Sequence, residues 1–203
     1  MDPKPLPYSE LNGISKKTLE IHHDKLYVGY VKKVDELAGK FKDIIQRILA
    51  DETDGNATYS DIRNLKAAET FAINGVYLHE WYFDVLGGAG NAAEAPELSK
   101  ALIEKWGSIE NTIKYVSVCA MAARGWSVLC WDAKAGRVKH YNSDAHDQGG
   151  VWGCIPLITL DCYEHAYFID YGSDKKQYIE AFWKNLNWKV AEELYLKAKT
   201  LTL

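Results

Sequence analysis

LDCYEHAYFIDY, residues 160–171, follows an apolar run, Cys154 to Leu160 (CIPLITL). The run has the β-branched richness and flanking glycine of a strand buried on both faces. Asp161 stands where that strand ends, and His165 follows four residues on. On a helix, that spacing puts two side chains on one face, where both can point at a common partner. Two readings stay open: a buried Asp–His hydrogen bond that orients a core histidine, or two ligands of a metal whose other ligands come from elsewhere.

Upstream of this strand, Gly125 to Trp131 and Val138 to Tyr141, joined at Gly136, read as a hairpin, which makes three strands in all. The N-terminal half carries a different period. In Ser15 to Ala50, Leu19, His22, Leu26, Tyr30, Val34 and Leu37 repeat at three and four residues, one helix face, so His22 lies on its buried side. Ser15 is the expected N-cap, and a bend or break is expected near Gly39. In Ser60 to Leu86, Phe71, Gly75, His79 and Phe83 share a face in the same way, with Ser60 as cap and Gly87-Gly88 as terminator. Asp51 to Ala57 is the polar loop between the two helices. Either histidine alone reads first as a satisfied core residue and only second as a ligand; two of them on separate helices, with an Asp and a His at a strand end, are harder to dismiss.

The prolines near the N-terminus and the Asn12-Gly13 pair make residues 1–14 extended. Residues 88–97 (GAGNAAEAPE) form the linker. Helices are expected over Pro96 to Trp106, Ser108 to Ala123, Asp174 to Trp183 and Trp188 to Lys199. The expected fold is therefore α+β: an N-terminal antiparallel helical hairpin (domain 1–90) packed on a C-terminal lobe (91–203) with a three-stranded antiparallel sheet and helices.

With 203 residues the chain can bury about 70% of its unfolded surface. A net charge of −4 carries no polyanion-binding signature, so nucleic acid is not an expected partner. No stretch approaches the roughly 20 apolar residues of a membrane span. The opening MDPKPLPYSE has neither an apolar core nor a basic run, which predicts a soluble, cytoplasmic protein. Cys119, Cys130, Cys154 and Cys162 are too widely spaced for a C-x-x-C metal site and read as buried reduced thiols.

LPYSELNGISKKTLEIHHDKLYVGYV, YLHEWYF, GWSVLCW and PLITLDCYEHAYFIDY followed by NLNW, in that order over nearly the whole chain, resemble the iron/manganese superoxide dismutases. The resemblance implies one iron or manganese ion per chain held by His22, His79, Asp161 and His165, with superoxide as substrate. Three imidazoles and a carboxylate alone suit iron, manganese, zinc or copper. The family's reaction selects a metal that steps between 3+ and 2+ states, which zinc cannot do.

Several further roles follow from the resemblance. Tyr30 matches a gateway tyrosine, though by itself it reads as a core residue. Gly75 stands where some members have a helix-borne glutamine, and His146 stands where others have a loop glutamine that bonds the metal-bound solvent; Gln148, two residues on, is the alternative. Lys25 and Lys175 match basic residues that steer the anionic substrate, though each also reads as a solvated surface charge. Glu164 matches a residue that reaches the ligand histidine of a second subunit, which implies a homodimer or a homotetramer. Tyr163 takes the place of an aromatic shell residue of the family, with Trp126, Tyr82 and Phe83 as further candidate members of that shell.

The chain departs from the family pattern at three places. Leu26 and Phe168 together replace a histidine and a tyrosine that pair across the dimer, a change that orphans no buried polar group. Tyr163 stands in place of a tryptophan. The competing function is a non-catalytic metal-binding or interaction module with the same fold, whose mark would be lost ligands. None of the four is lost. A zinc hydrolase or an iron oxygenase is a further alternative, and a fourth protein ligand argues against the oxygenase.

Overall fold

A computed structural model describes residues 1–53 and 55–201. Asp54, inside the expected polar loop, lies outside the described residues. Ser15 caps α1 (Lys16–Glu20) by accepting from the Thr18 amide at 3.2 Å. The helix continues through a wide-turn π segment, Ile21–Tyr27, into α2, Val28–Leu49.

No break occurs at Gly39, whose surroundings within 4 Å are open, so nothing there demands one. The irregularity sits at the histidines instead. His22 and Tyr30 are eight residues apart and would diverge around a regular α-helix; the extra residue per turn of the π segment returns Tyr30 to the His22 face.

Ser60 stands at the N-cap of α3 (Asp61–Asp84), but its hydroxyl donates to the Asn56 carbonyl rather than accepting from the helix. α3 runs antiparallel to α2 and ends before Gly87, which takes a positive φ of 85°. The linker contains one 3₁₀ turn, Ala92–Glu94, and leads to α4 (Pro96–Trp106) and α5 (Ile109–Ala122), the latter capped by Ser108. β1 (Trp126–Asp132), β2 (Arg137–Ser143) and β3 (Cys154–Asp161) form an antiparallel sheet in the order β2-β1-β3. The expected α+β architecture is thus present.

Only the second half of β3, Leu157 to Asp161, is fully buried. Its register pairs Trp126 with Asp161, so the first residue of β1 lies beside the last of β3. Beyond β3 come a 3₁₀ turn (Glu164–Ala166), α6 (Phe168–Tyr171), α7 (Lys175–Lys184) and α8 (Trp188–Lys199). The two halves share one hydrophobic core, in which Leu19, Tyr82, Trp126, Leu160, Tyr178 and Phe182 meet. No helix among the described residues is long and apolar enough to cross a membrane.

Candidate metal centre

His22 from the π segment, His79 from α3, Asp161 from the end of β3 and His165 from the following 3₁₀ turn bring one ligand atom each within 4.8 Å of one another. Asp161 and His165 do not share a helix face, as their spacing suggested. The chain turns instead: Asp161 Oδ1 accepts from the Tyr163 amide at 2.8 Å, an Asx turn that brings His165 back over the strand end.

The other carboxylate oxygen, Oδ2, is the common focus. It lies 3.0 Å from His22 Nε2, 3.0 Å from His165 Nε2 and 3.6 Å from His79 Nε2. Donors about 2.0–2.1 Å from one ion lie about 3–4 Å from each other, a range that holds the three separations between the carboxylate oxygen and the imidazole nitrogens.

His79 gives the sharpest test of whether a cation fits. Its Nδ1 donates to the Gly75 carbonyl at 2.5 Å, and burial holds its pKa down to about 3, so the ring is neutral and Nε2 presents a bare lone pair. Among the described residues that atom is buried with no hydrogen-bond partner, and it faces a carboxylate. Two facing lone pairs in a dry interior repel; a cation between them turns the same geometry into ligation. Burial also lowers His22. For Asp161, burial alone would raise the carboxyl, but the His165 and His22 charges and hydrogen bonds prevail and hold it well below the usual range.

Neighbouring groups fix these four side chains. The Tyr178 hydroxyl donates to the Asp161 backbone carbonyl at 2.9 Å and lies 3.2 Å from Tyr82 Oη. Tyr82 and Phe83 pack on His22 with ring centroids 5.0 Å away, Trp126 meets His79 edge-on at 5.1 Å, and Tyr163 stacks on His165 at 5.3 Å. His23, beside His22, is turned away, its ring nitrogens engaged by Asp24 and the Lys4 carbonyl.

His146 is buried between two partners. Its Nδ1 accepts from Trp126 Nε1 at 2.9 Å, because an indole can only donate, and its Nε2 is 2.8 Å from Tyr30 Oη. Gln148 is exposed, its backbone engaged in a turn with Ala145 and Ser143. Gly75 leaves the space that the Tyr30 ring fills: a Cβ there would sit 2.8 Å from Tyr30 Cδ1.

Outside His165, a recess of about 440 Å³ is lined by Arg124, Glu164, Tyr167 and Lys175 among others. Lys175 is buried and donates to the Ala123 carbonyl at 2.7 Å, whereas Lys25 is exposed on the π segment. Sequence reasoning missed Tyr178 and Arg124. The only signal for Arg124 was a basic residue set directly before Gly125-Trp126.

The profile of the iron/manganese superoxide dismutase C-terminal domain matches residues 94–194. The chain is 41% identical over 201 residues to "Superoxide dismutase [Fe]" of Aquifex pyrophilus, spanning 98% of this chain and 92% of that protein. Against "Superoxide dismutase [Fe]" of Aquifex aeolicus, identity is 40% over 188 residues, 93% of this chain and 87% of the other. "Superoxide dismutase [Mn]" of Haloarcula marismortui is 30% identical over 202 residues, 98% and 94% of the two chains. With all four ligand types converging on one point and likeness running nearly end to end, the chain belongs to the iron/manganese superoxide dismutase family.

Proposed function

We propose that this chain is a superoxide dismutase, converting two superoxide anions to dioxygen and hydrogen peroxide, with one iron or manganese ion held by His22, His79, Asp161 and His165. The observation that carries the reading is the buried, unpartnered His79 Nε2 aimed at the Asp161 carboxylate. Bound iron or manganese supplies one-electron chemistry, which three imidazoles and one carboxylate suit by ligand type.

The residues around the ligands handle protons and charge. Burial lowers His146 to about 4, so the ring is neutral at physiological pH. Since Nδ1 accepts from Trp126, the single ring proton is on Nε2, which donates to Tyr30 Oη. That leaves the Tyr30 hydroxyl proton free to point into the site. Trp126, His146 and Tyr30 thereby form an oriented chain ending in a proton donor, and His146 acts on the centre through Tyr30. Burial keeps the Tyr30 phenol above its ordinary range and so protonated. Lys175 and Arg124 give the recess beside His165 the positive potential an anionic substrate needs in a chain of net charge −4.

A homodimer completes this proposal. Glu164 is exposed with no ion-pair partner among the described residues, and beside it Phe168 and Ile169 are 56% and 41% exposed. A carboxylate and apolar side chains next to a half-exposed ligand histidine suit a second copy of the chain.

The test is the rate of superoxide loss per bound metal in separately iron-loaded and manganese-loaded protein. Fast removal by at least one form is expected, while background rates from both would overturn the proposal. His146→Ala should keep its metal and lose roughly 10- to 100-fold in rate, as loss of a group supporting a metal site usually does. Metal-normalised rates equal to the unaltered protein's would show that the proton chain does not run through His146.

A further inference from the structure

At one end of the sheet Ser143, Trp126 and Asp161 lie side by side next to the metal ligands; at the other, Arg137 of β2, Asp132 of β1 and Cys154 of β3 do so. The length of β1 separates the two ends by about 20 Å. The far end gathers positive charge. Lys134 in the β1–β2 turn and Arg137 are exposed, Lys139 is half-buried, and Lys105 at the end of α4 donates from Nζ to the Val138 carbonyl between them. None of these four cations is in an ion pair among the described residues. Asp132 is the only carboxylate of the hairpin and is engaged locally, accepting from the Ala135 amide at 2.9 Å with the Tyr141 hydroxyl at 3.5 Å. Counting also the exposed Glu104 beside Lys105, hairpin and helix end carry four cations against two carboxylates, net +2 in a chain of −4.

At this same end the chain turns sharply into β3. The Cys154 amide donates to the Val151 carbonyl at 3.0 Å, and Gly153 takes a positive φ of 91°, as the third position of a tight turn favours. The Ala133 amide ties the turn to the end of β1, donating to the Gly153 carbonyl at 3.1 Å. Trp152 is thereby left at the tip, 98% exposed, with Val151 41% exposed behind it. An indole that touches so little of its own chain is a projection and not the wall of a pocket.

We propose that this end of the sheet docks on an anionic lipid bilayer, with Trp152 and Val151 entering the headgroup region and Lys134, Arg137 and Lys139 resting on lipid phosphates. An indole is favoured at the membrane–water interface, where its ring meets acyl chains and its N–H meets headgroups. Cations held near an anionic lipid surface each strengthen the attachment. A second copy of the chain suits this surface poorly, because two-fold pairing sets the cations of one copy against those of the other. A bound peptide needs a groove or a free strand edge, which a projecting turn does not offer. Docking here leaves the metal end of the sheet pointing away from the bilayer, and the surface stands independently of the dismutase reading.

Metal-loaded protein is sedimented with vesicles of equal parts phosphatidylglycerol and phosphatidylcholine, and in parallel with pure phosphatidylcholine, at low and at high salt. Binding to the anionic vesicles at low salt is expected, with loss at high salt and none to phosphatidylcholine. Trp152→Ala should weaken that binding about tenfold, through the indole area no longer buried. Lys134→Glu with Arg137→Glu should weaken it about 25-fold or more, at roughly fivefold for each cation. All three substitutions lie at the end of the sheet away from the ligands, so metal content and the rate of superoxide loss should stay those of the unaltered protein. No binding to anionic vesicles would overturn the proposal, as would equal binding by these variants or equal binding to phosphatidylcholine. Tighter binding to single-stranded oligothymidylate than to vesicles would assign the surface to nucleic acid instead. A smaller assembly for Trp152→Ala in analytical ultracentrifugation would show that a second copy covers it, and would overturn the proposal too.

Discussion

Replacing Asp161 with Ala should strip the protein of its metal and reduce superoxide removal to background. Asp161 Oδ2 is the one atom that all three ligand imidazoles approach, at 3.0, 3.0 and 3.6 Å. Without it the cavity keeps three neutral donors and no negative charge to offset a cation in a dry site. The variant should also be less stable than the loaded parent. An ion present at a thousand times its dissociation constant adds about 4 kcal/mol to folding, and that contribution would be gone. Metal content by elemental analysis, thermal midpoint and activity are measured on one preparation. Full metal occupancy in Asp161→Ala would remove the carboxylate from the ligand set.

The second large effect lies away from the ligands. At Gly88 the chain passes against the turn between α7 and α8: the Gly88 amide donates to the Asn185 carbonyl at 2.9 Å, and the Asn187 amide donates to the Val85 carbonyl at 2.8 Å. A Cβ on Gly88 would lie 2.4 Å from Asn187 Cα and 2.5 Å from the Leu186 carbonyl oxygen, both backbone atoms that cannot rotate aside. Gly88→Ala should therefore cost roughly 1–3 kcal/mol, lowering the thermal midpoint by about 2–12 °C. It should also weaken metal retention, because this contact ties the end of α3, which carries His79, to the lobe that carries Asp161 and His165. Gly39→Ala provides the contrast. Gly39 lies inside α2 with nothing within 4 Å, so added helix propensity should stabilise by about 0.5–1 kcal/mol. Equal midpoints for the two variants would contradict the packing argument.

These two glycines show where sequence reading succeeds and where it stops. Periodicity placed His22 and His79 on buried faces because a helix repeats its face every few residues, and both are fully buried. The same reading expected a break at Gly39 and missed the π segment at Ile21–Tyr27, since propensity marks a weak helix position but not which residue tertiary contacts will displace. The Asp161–His165 spacing suggested a shared helix face; an Asx turn after the strand achieves the same convergence by another path. His146 was legible only as a position in a motif. Its partners, Tyr30 and Trp126, lie 116 and 20 residues away in sequence, and no local pattern encodes that pairing. Tyr178, which holds the Asp161 carbonyl from α7, was silent for the same reason.

The central claim is that one redox-active metal at His22, His79, Asp161 and His165 removes superoxide. Zinc takes the same kinds of donor but cannot change oxidation state, so superoxide decay with zinc-loaded protein beside iron- and manganese-loaded protein, each at matched occupancy, isolates that claim. Rapid decay with iron or manganese and none above background with zinc is the predicted result. Zinc-loaded protein that removes superoxide as fast as the other two would contradict it.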